Sequence, residues 1–115
     1  MNSTKKLIWD IEQLQVRFAA KQRMIETELK SLKAHKHSKS ALYKPAYDEH
    51  LGSLHVFIIL ETTAALMSPE LFVEELKGML SRNPAVDPDA HSHQHFVNGW
   101  KRTLAELLKE FSEYV

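Results

Sequence analysis

Histidine is the residue type in this 115-residue chain best able to do chemistry, and three of the seven histidines fall in one run, His91-Ser92-His93-Gln94-His95. His91 and His95 stand four apart. On a helix they share a face, a spacing that can chelate a divalent ion, with Asp87 or Asp89 as a source of oxygen. A complete site needs a third and fourth ligand, and the chain has neither a Glu-x-x-His pair nor a His-Glu-x-x-His run. Metal binding at His91 and His95 is therefore one of three readings carried forward, set against a plain polar first turn that exposes its histidines to water. No cofactor is expected.

Two further polar residues, His55 and Glu61, interrupt the most apolar stretch, Leu54 to Met67. A spacing of six does not set them side by side on a helix, which favours placement at the seam between two apolar faces over a buried catalytic pair. The chain has no cysteine, which removes thiolate ligands, disulfides and cysteine nucleophiles together. It also lacks a Gly-x-Ser-x-Gly elbow, a phosphate-cradling glycine loop and a paired-carboxylate motif. The expectation is a protein that is not an enzyme.

Charge is the other distinctive feature. Lys and Arg number fifteen and so do Asp and Glu, yet the two signs are separated along the chain. Residues 1–47 hold ten cations and four anions, while residues 48–115 hold five cations and eleven anions. Such a split bears on partners and association rather than on fold. Between Glu28 and Asp48 there is no acid, and Lys30, Lys33, Lys36, Lys39 and Lys44 stand with His35, His37, Tyr43 and Tyr47. Clustered cations near aromatics suit phosphates and stacked bases, so nucleic-acid binding through Lys30, Lys33, Lys36, Lys39 and Lys44 is the second reading. Against it, lysines at a helix end also satisfy the helix dipole, and no helix-turn-helix, zinc-finger or RNP-type pattern accompanies them.

The elements that would position these residues are helices. Three glycines and four prolines leave little material for the many turns of a sandwich or barrel. Ser3 or Thr4 can cap a first helix of about 35 residues, in which Leu7, Ile11, Leu14, Phe18, Ile25, Leu29 and Leu32 form a stripe. Trp9, Val16, Ala20 and Met24 widen that face on one flank. A second helix is expected from about Pro45 to Met67, with Lys44 held out of it by the following proline. Tyr47, Leu51, Leu54 and Ile58 make one of its faces, while Phe57, Leu60 and Met67 make another, the pattern of a central element. Val56 to Leu60 also has strand propensity, which leaves a β-strand as a minor alternative.

Ser68-Pro69-Glu70 reads as a helix start, with a serine cap, a proline where no N–H is needed and an acid at the positive end; this short helix runs to Ser81. Asp87-Pro88-Asp89 repeats that chemistry and is expected to open the last helix. Phe96, Trp100, Leu104, Leu107, Leu108, Phe111 and Val115 give that helix its apolar stripe, and Asn98-Gly99 marks a kink or break within it.

The fold expected is therefore all-α, a single domain over residues 1–115 built as a helical bundle of about four helices. The long first helix outruns the short third one, which leaves apolar surface over. On this basis the leading reading is a small adaptor or regulatory protein acting through protein–protein contacts, with a homodimer as one form of it. The expected interface residues are Trp9, Phe18, Leu29 and Leu32 on the first helix. No signal-peptide core forms before Asp10, and Leu54 to Met67 is well short of the ~20 residues of a spanning helix, so residence is expected in the cytoplasm, away from any membrane.

Overall fold

The computed structural model describes residues 11–34, 43–63 and 67–112. These residues form four helices and no strand: α1 (Ile11–Ala34), α2 (Tyr43–Thr63), α3 (Pro69–Ser81) and α4 (His93–Phe111). The strand alternative for Val56 to Leu60 is overturned, since those residues lie within α2. Trp9 and the expected start of the first helix at Ser3 or Thr4 lie outside the described residues, as do Lys36 and Lys39.

Contacts between named pairs give the helices their directions. Arg17 of α1 meets Glu110 of α4 while residues 21–28 of α1 face residues 102–106 of α4, so α1 and α4 run antiparallel. Asp48 and Ser53 of α2 meet His91 and Thr103, so α2 runs parallel to α4 and antiparallel to α1, to which Gln22 ties it through the Phe57 carbonyl and the Glu61 carboxylate. Phe72 of α3 packs edge-on to Phe111 of α4, while the Trp100 indole N–H donates to the Met79 carbonyl at 3.4 Å, so α3 and α4 are antiparallel too. The chain thus runs up, down, up and down, with α2 packed between α1 and α4 and α3 packed on α4.

α2 is the central element, as its nearly all-round apolar surface requires. Tyr47, Leu51 and Leu54 are buried on one side and Val56, Phe57 and Leu60 on the other. It is shorter than expected at its far end, where Met67 lies beyond the helix and is half-buried against the core. At its near end it reaches back to include Lys44, contrary to the expectation that Pro45 would exclude it. Pro45 is tolerated there because amides in the first turn have no helical acceptor to lose.

An aromatic cluster ties the four helices together. Phe18 of α1, fully buried, lies 5.7 Å from Phe57, 6.3 Å from Phe72 and 6.5 Å from Phe111, ring centre to ring centre. Each large apolar side chain removed from water contributes about 1.5–3 kcal/mol, so this junction of α1, α2, α3 and α4 is a principal source of stability.

α3 begins as its sequence dictates. Ser68 is in extended conformation and its hydroxyl accepts from the Leu71 amide at 3.4 Å, with Pro69 in the first turn. The last helix does not. It starts at His93 rather than at Asp87-Pro88-Asp89, because the Asp87 side chain is used otherwise. Its Oδ1 accepts from the Asp89 amide at 2.8 Å, and the Asp87 carbonyl accepts from the Ala90 amide at 3.0 Å, which closes a turn in place of a helix. Asn98-Gly99 is not a break, since α4 is continuous from His93 to Phe111.

Glycine at position 99 has a packing reason instead. A Cβ there would lie 2.0 Å from the Glu49 carbonyl oxygen of α2, and a Cβ on Gly52 would lie 2.2 Å from the Phe96 carbonyl oxygen of α4. The two helices cross backbone against backbone, with no room for a side chain between them at either glycine. Next to this crossing the buried Thr103 hydroxyl donates to Ser53 Oγ at 2.8 Å, which pairs two polar groups that would otherwise be stranded in the seam.

Candidate functional site

Because Gly52 and Gly99 draw α4 tightly onto α2, and α1 packs along a different side of α2, α1 and α4 are left as the two walls of a groove with α2 as its floor. The groove encloses about 490 Å³, within the range of sites that take ligands or the anchoring side chains of a partner. Its floor is His50, Ser53 and Phe57; α1 contributes Lys21, Met24, Ile25, Thr27 and Glu28, and α4 contributes Arg102, Thr103 and Glu106.

The groove is closed at one end by Arg17 of α1, whose Nη2 donates to Glu110 Oε1 of α4 at 2.6 Å and whose guanidinium carbon lies 5.4 Å from the centre of the Phe111 ring. Farther along, Arg102 is tied back to α2 by a 2.6 Å bond from its Nη1 to Glu49 Oε1. Apolar surface is open in between. Met24 is 61% exposed at the α1 lip, although its neighbours Ile25 and Phe57 are buried. An unbranched, polarizable side chain of this kind adapts to irregular partners.

The expected interface residues fall elsewhere. Phe18 and Leu29 are core residues of the single chain, at 0% and 9% exposure, and Leu32 is half-buried against the same core. Their stripe is satisfied by α2, α3 and α4, so the expectation that it waits for a partner is corrected. Among the described residues, the large apolar side chains exposed on the first two helices are Val16 and Met24 on α1 and Ile58 and Ile59 near the end of α2.

The histidines are likewise redistributed. His91 precedes α4 and does not share a helix face with His95. Its amide donates to Asp48 Oδ1 at 2.9 Å, and its Nδ1 lies 3.0 Å from the same oxygen. The Ser92 amide donates to Asp48 Oδ2 at 2.6 Å. Asp48, fully buried on α2, therefore caps α4 from outside, where the Ser92 side chain makes no capping bond of its own. A carboxylate at that position also faces the positive end of the helix dipole.

About two turns along α2, His55 Nε2 lies 2.7 Å from Asp87 Oδ2, with the His55 ring edge-on to Phe96. Burial pushes the Asp87 carboxyl up, but the Asp89 amide and the His55 ring outweigh it and hold the group below its ordinary value of 3.8. Asp48 and His55 thus form two clamps that hold residues 82–92 against α2. His55 and Glu61 do not pair with each other, because Glu61 is engaged by Gln22.

His95 is half-buried, and its Nδ1 has no hydrogen-bond partner among the described residues. Among the described residues no three His, Asp or Glu side chains converge as a metal-ligand set. Of the basic residues singled out, Lys30 and Lys33 on α1 and Lys44 on α2 are exposed. No described helix is long and apolar enough to cross a membrane.

Sequence reasoning missed the groove because it depends on which helix pair lies closest. The signal was present in Gly52 and Gly99, each isolated inside an apolar helix where alanine would be about 1 kcal/mol better unless a neighbour came too near. Comparison of the chain with protein-family models, with characterised proteins and with solved structures finds no match.

Proposed function

We propose that this chain is a small non-enzymatic adaptor or regulator that works by protein contact at the groove between α1 and α4. The observation that supports this reading is the groove itself, with Met24 at its lip and Phe57 in its floor. Of the exposed large apolar side chains among the described residues, Val16, Met24, Ile58, Ile59 and Leu71, Met24 is the one that lines this groove. Recognition by helices in grooves proceeds through a few apolar anchors with polar flanks, and the groove offers both: Met24, Ile25 and Phe57 inside, Lys21, Glu28 and Glu106 along the rim.

The test is in-cell photo-crosslinking with a benzophenone side chain placed at Met24 or Glu106, compared with Ala105 and Lys77, which are exposed away from the groove. Discrete adducts from the two groove positions and none from the controls are expected. Equal labelling at all four positions, or none at any, overturns the reading.

A second reading, nucleic-acid binding, draws support from the exposure of Lys30, Lys33 and Lys44. It predicts oligonucleotide affinity that falls steeply with salt and is lost when these lysines become glutamate. Fluorescence anisotropy at low and high salt measures both.

A further inference from the structure

We infer that the partner at the α1 lip is a second copy of this chain, docked through an antiparallel pairing of α1 with α1; the inference rests on the groove reading above. The side of α1 turned away from the core carries its own stripe, Val16, Ala20, Met24, Thr27 and Ser31, at steps of 4, 4, 3 and 4. Val16 is 66% exposed and Met24 61%. A helix of a bundle ordinarily has one apolar stripe, and α1 spends Leu14, Phe18, Ile25 and Leu29 on its own core. The second stripe is narrow and made of small residues around Val16 and Met24. The Thr27 hydroxyl is already bonded to the Arg23 carbonyl at 3.0 Å, so this residue presents its methyl group without leaving a donor unpaired.

The flank of this stripe that borders the groove carries Lys21 and Glu28, both exposed and lining the rim. They are seven residues apart, hence on one side of the helix, and they lie symmetrically about Met24 and Ile25. A two-fold axis through that point pairs like with unlike. Lys21 meets Glu28 of the partner subunit, Glu28 meets Lys21 of the partner subunit, and Met24 of the partner subunit comes over the groove beside Ile25 and Phe57. This is the self-complementarity that an isologous interface requires.

The opposite orientation is disfavoured by the same residues. In parallel register the Lys21–Glu28 flank of one helix turns away from the same flank of the other, so these pairs are lost, and the Lys30 and Lys33 ends of the two helices coincide. Antiparallel pairing puts those basic ends at opposite ends of the interface and also opposes the helix dipoles. The charges therefore select both the partner and its direction.

Sedimentation equilibrium of the full chain tests this with three variants: Lys21→Glu, Glu28→Lys and the double exchange carrying both. Each single exchange places like charges at both symmetric contacts and should weaken dimerisation by about tenfold or more, while the double exchange recreates the pairs with reversed sign and should restore it. Circular dichroism confirms that helicity is kept, as expected for exposed positions. A chain that is monomeric at every concentration, a dimer indifferent to the single exchanges, or a double exchange as dissociated as the singles would each overturn the inference. A monomer that still crosslinks to another protein from Met24 overturns self-docking and leaves the groove reading standing. The absence of both adducts and dimer removes both.

Discussion

Along the α2–α4 seam, Gly52 and Gly99 bring two backbones into contact and the polar groups nearby are paired, Thr103 with Ser53 and the amides of His91 and Ser92 with Asp48. Across α4 from that seam, the space toward α1 is bridged at one end by Arg17 and Glu110 and otherwise left open over Phe57. α4 thus has one side where an added Cβ at Gly99 collides with α2 and another that looks across open space to Met24 of α1. Close approach on one side is what opens the other, because a helix drawn onto α2 through glycines cannot also close on α1. On the proposed reading the seam serves stability and the groove serves partner contact, and substitutions should separate the two.

The largest effect is expected at Trp100, whose ring lies in the core and whose N–H donates to Met79. Trp100→Ala should cost about 3–5 kcal/mol in urea denaturation, and a loss under about 1 kcal/mol would break the assignment of this helix face to the core. Gly99→Ala should follow at about 3 kcal/mol, since a methyl 2.0 Å from the Glu49 carbonyl forces the helices apart. A neutral or stabilised Gly99→Ala protein would mean that the backbones do not touch, and the seam would lose its distinction from the groove.

A smaller effect is expected from Asp48→Asn, which keeps the shape but turns one acceptor into a donor facing the Ser92 or His91 amide. About 2 kcal/mol should be lost, with earlier hydrogen exchange at residues 91 and 92. Asp87 adds a dependence on acidity. Its folded-state value lies below the unfolded 3.8, so its contribution is complete above 3.8 and is lost as pH falls through the lower folded value. Replacing Asp87 with Asn should flatten that part of the acid limb of the denaturation midpoint, whereas an unchanged acid limb would mean that the Asp89 amide and His55 together do not stabilise the Asp87 carboxylate. The smallest effect on stability belongs to the groove. Met24→Gln should stay within about 0.5 kcal/mol of the parent while weakening self-association, the reverse of the pattern at Gly99.

Much of the fold is legible in the sequence because it follows from local chemistry. The core stripe of α1, the serine cap and proline of α3, and the amphipathic pattern of α4 each depend on residues within a few turns of one another. What was not legible depends on distant partners. Asp87-Pro88-Asp89 has every local property of a helix start, yet His55, 32 residues earlier in the chain, takes part of the Asp87 carboxylate, and Asp48 supplies the cap that Ser92 does not. The candidate site was legible in its residues and not in its geometry. Val16, Ala20 and Met24 stood out as a flank of the first apolar face, but that they form a separate surface follows only once Phe18 and Leu29 are seen to be buried.

The most direct test of the central claim uses the methyl resonances of Met24 and Met79 in one NMR sample followed over a concentration series. Met24 stands at the groove lip and Met79 is buried beside Trp100, 1% exposed. The account predicts that the Met24 methyl shifts or broadens as the protein is concentrated and stays fixed in Lys21→Glu, while Met79 is constant throughout. A Met24 methyl that never moves, or one that moves together with Met79, would contradict it.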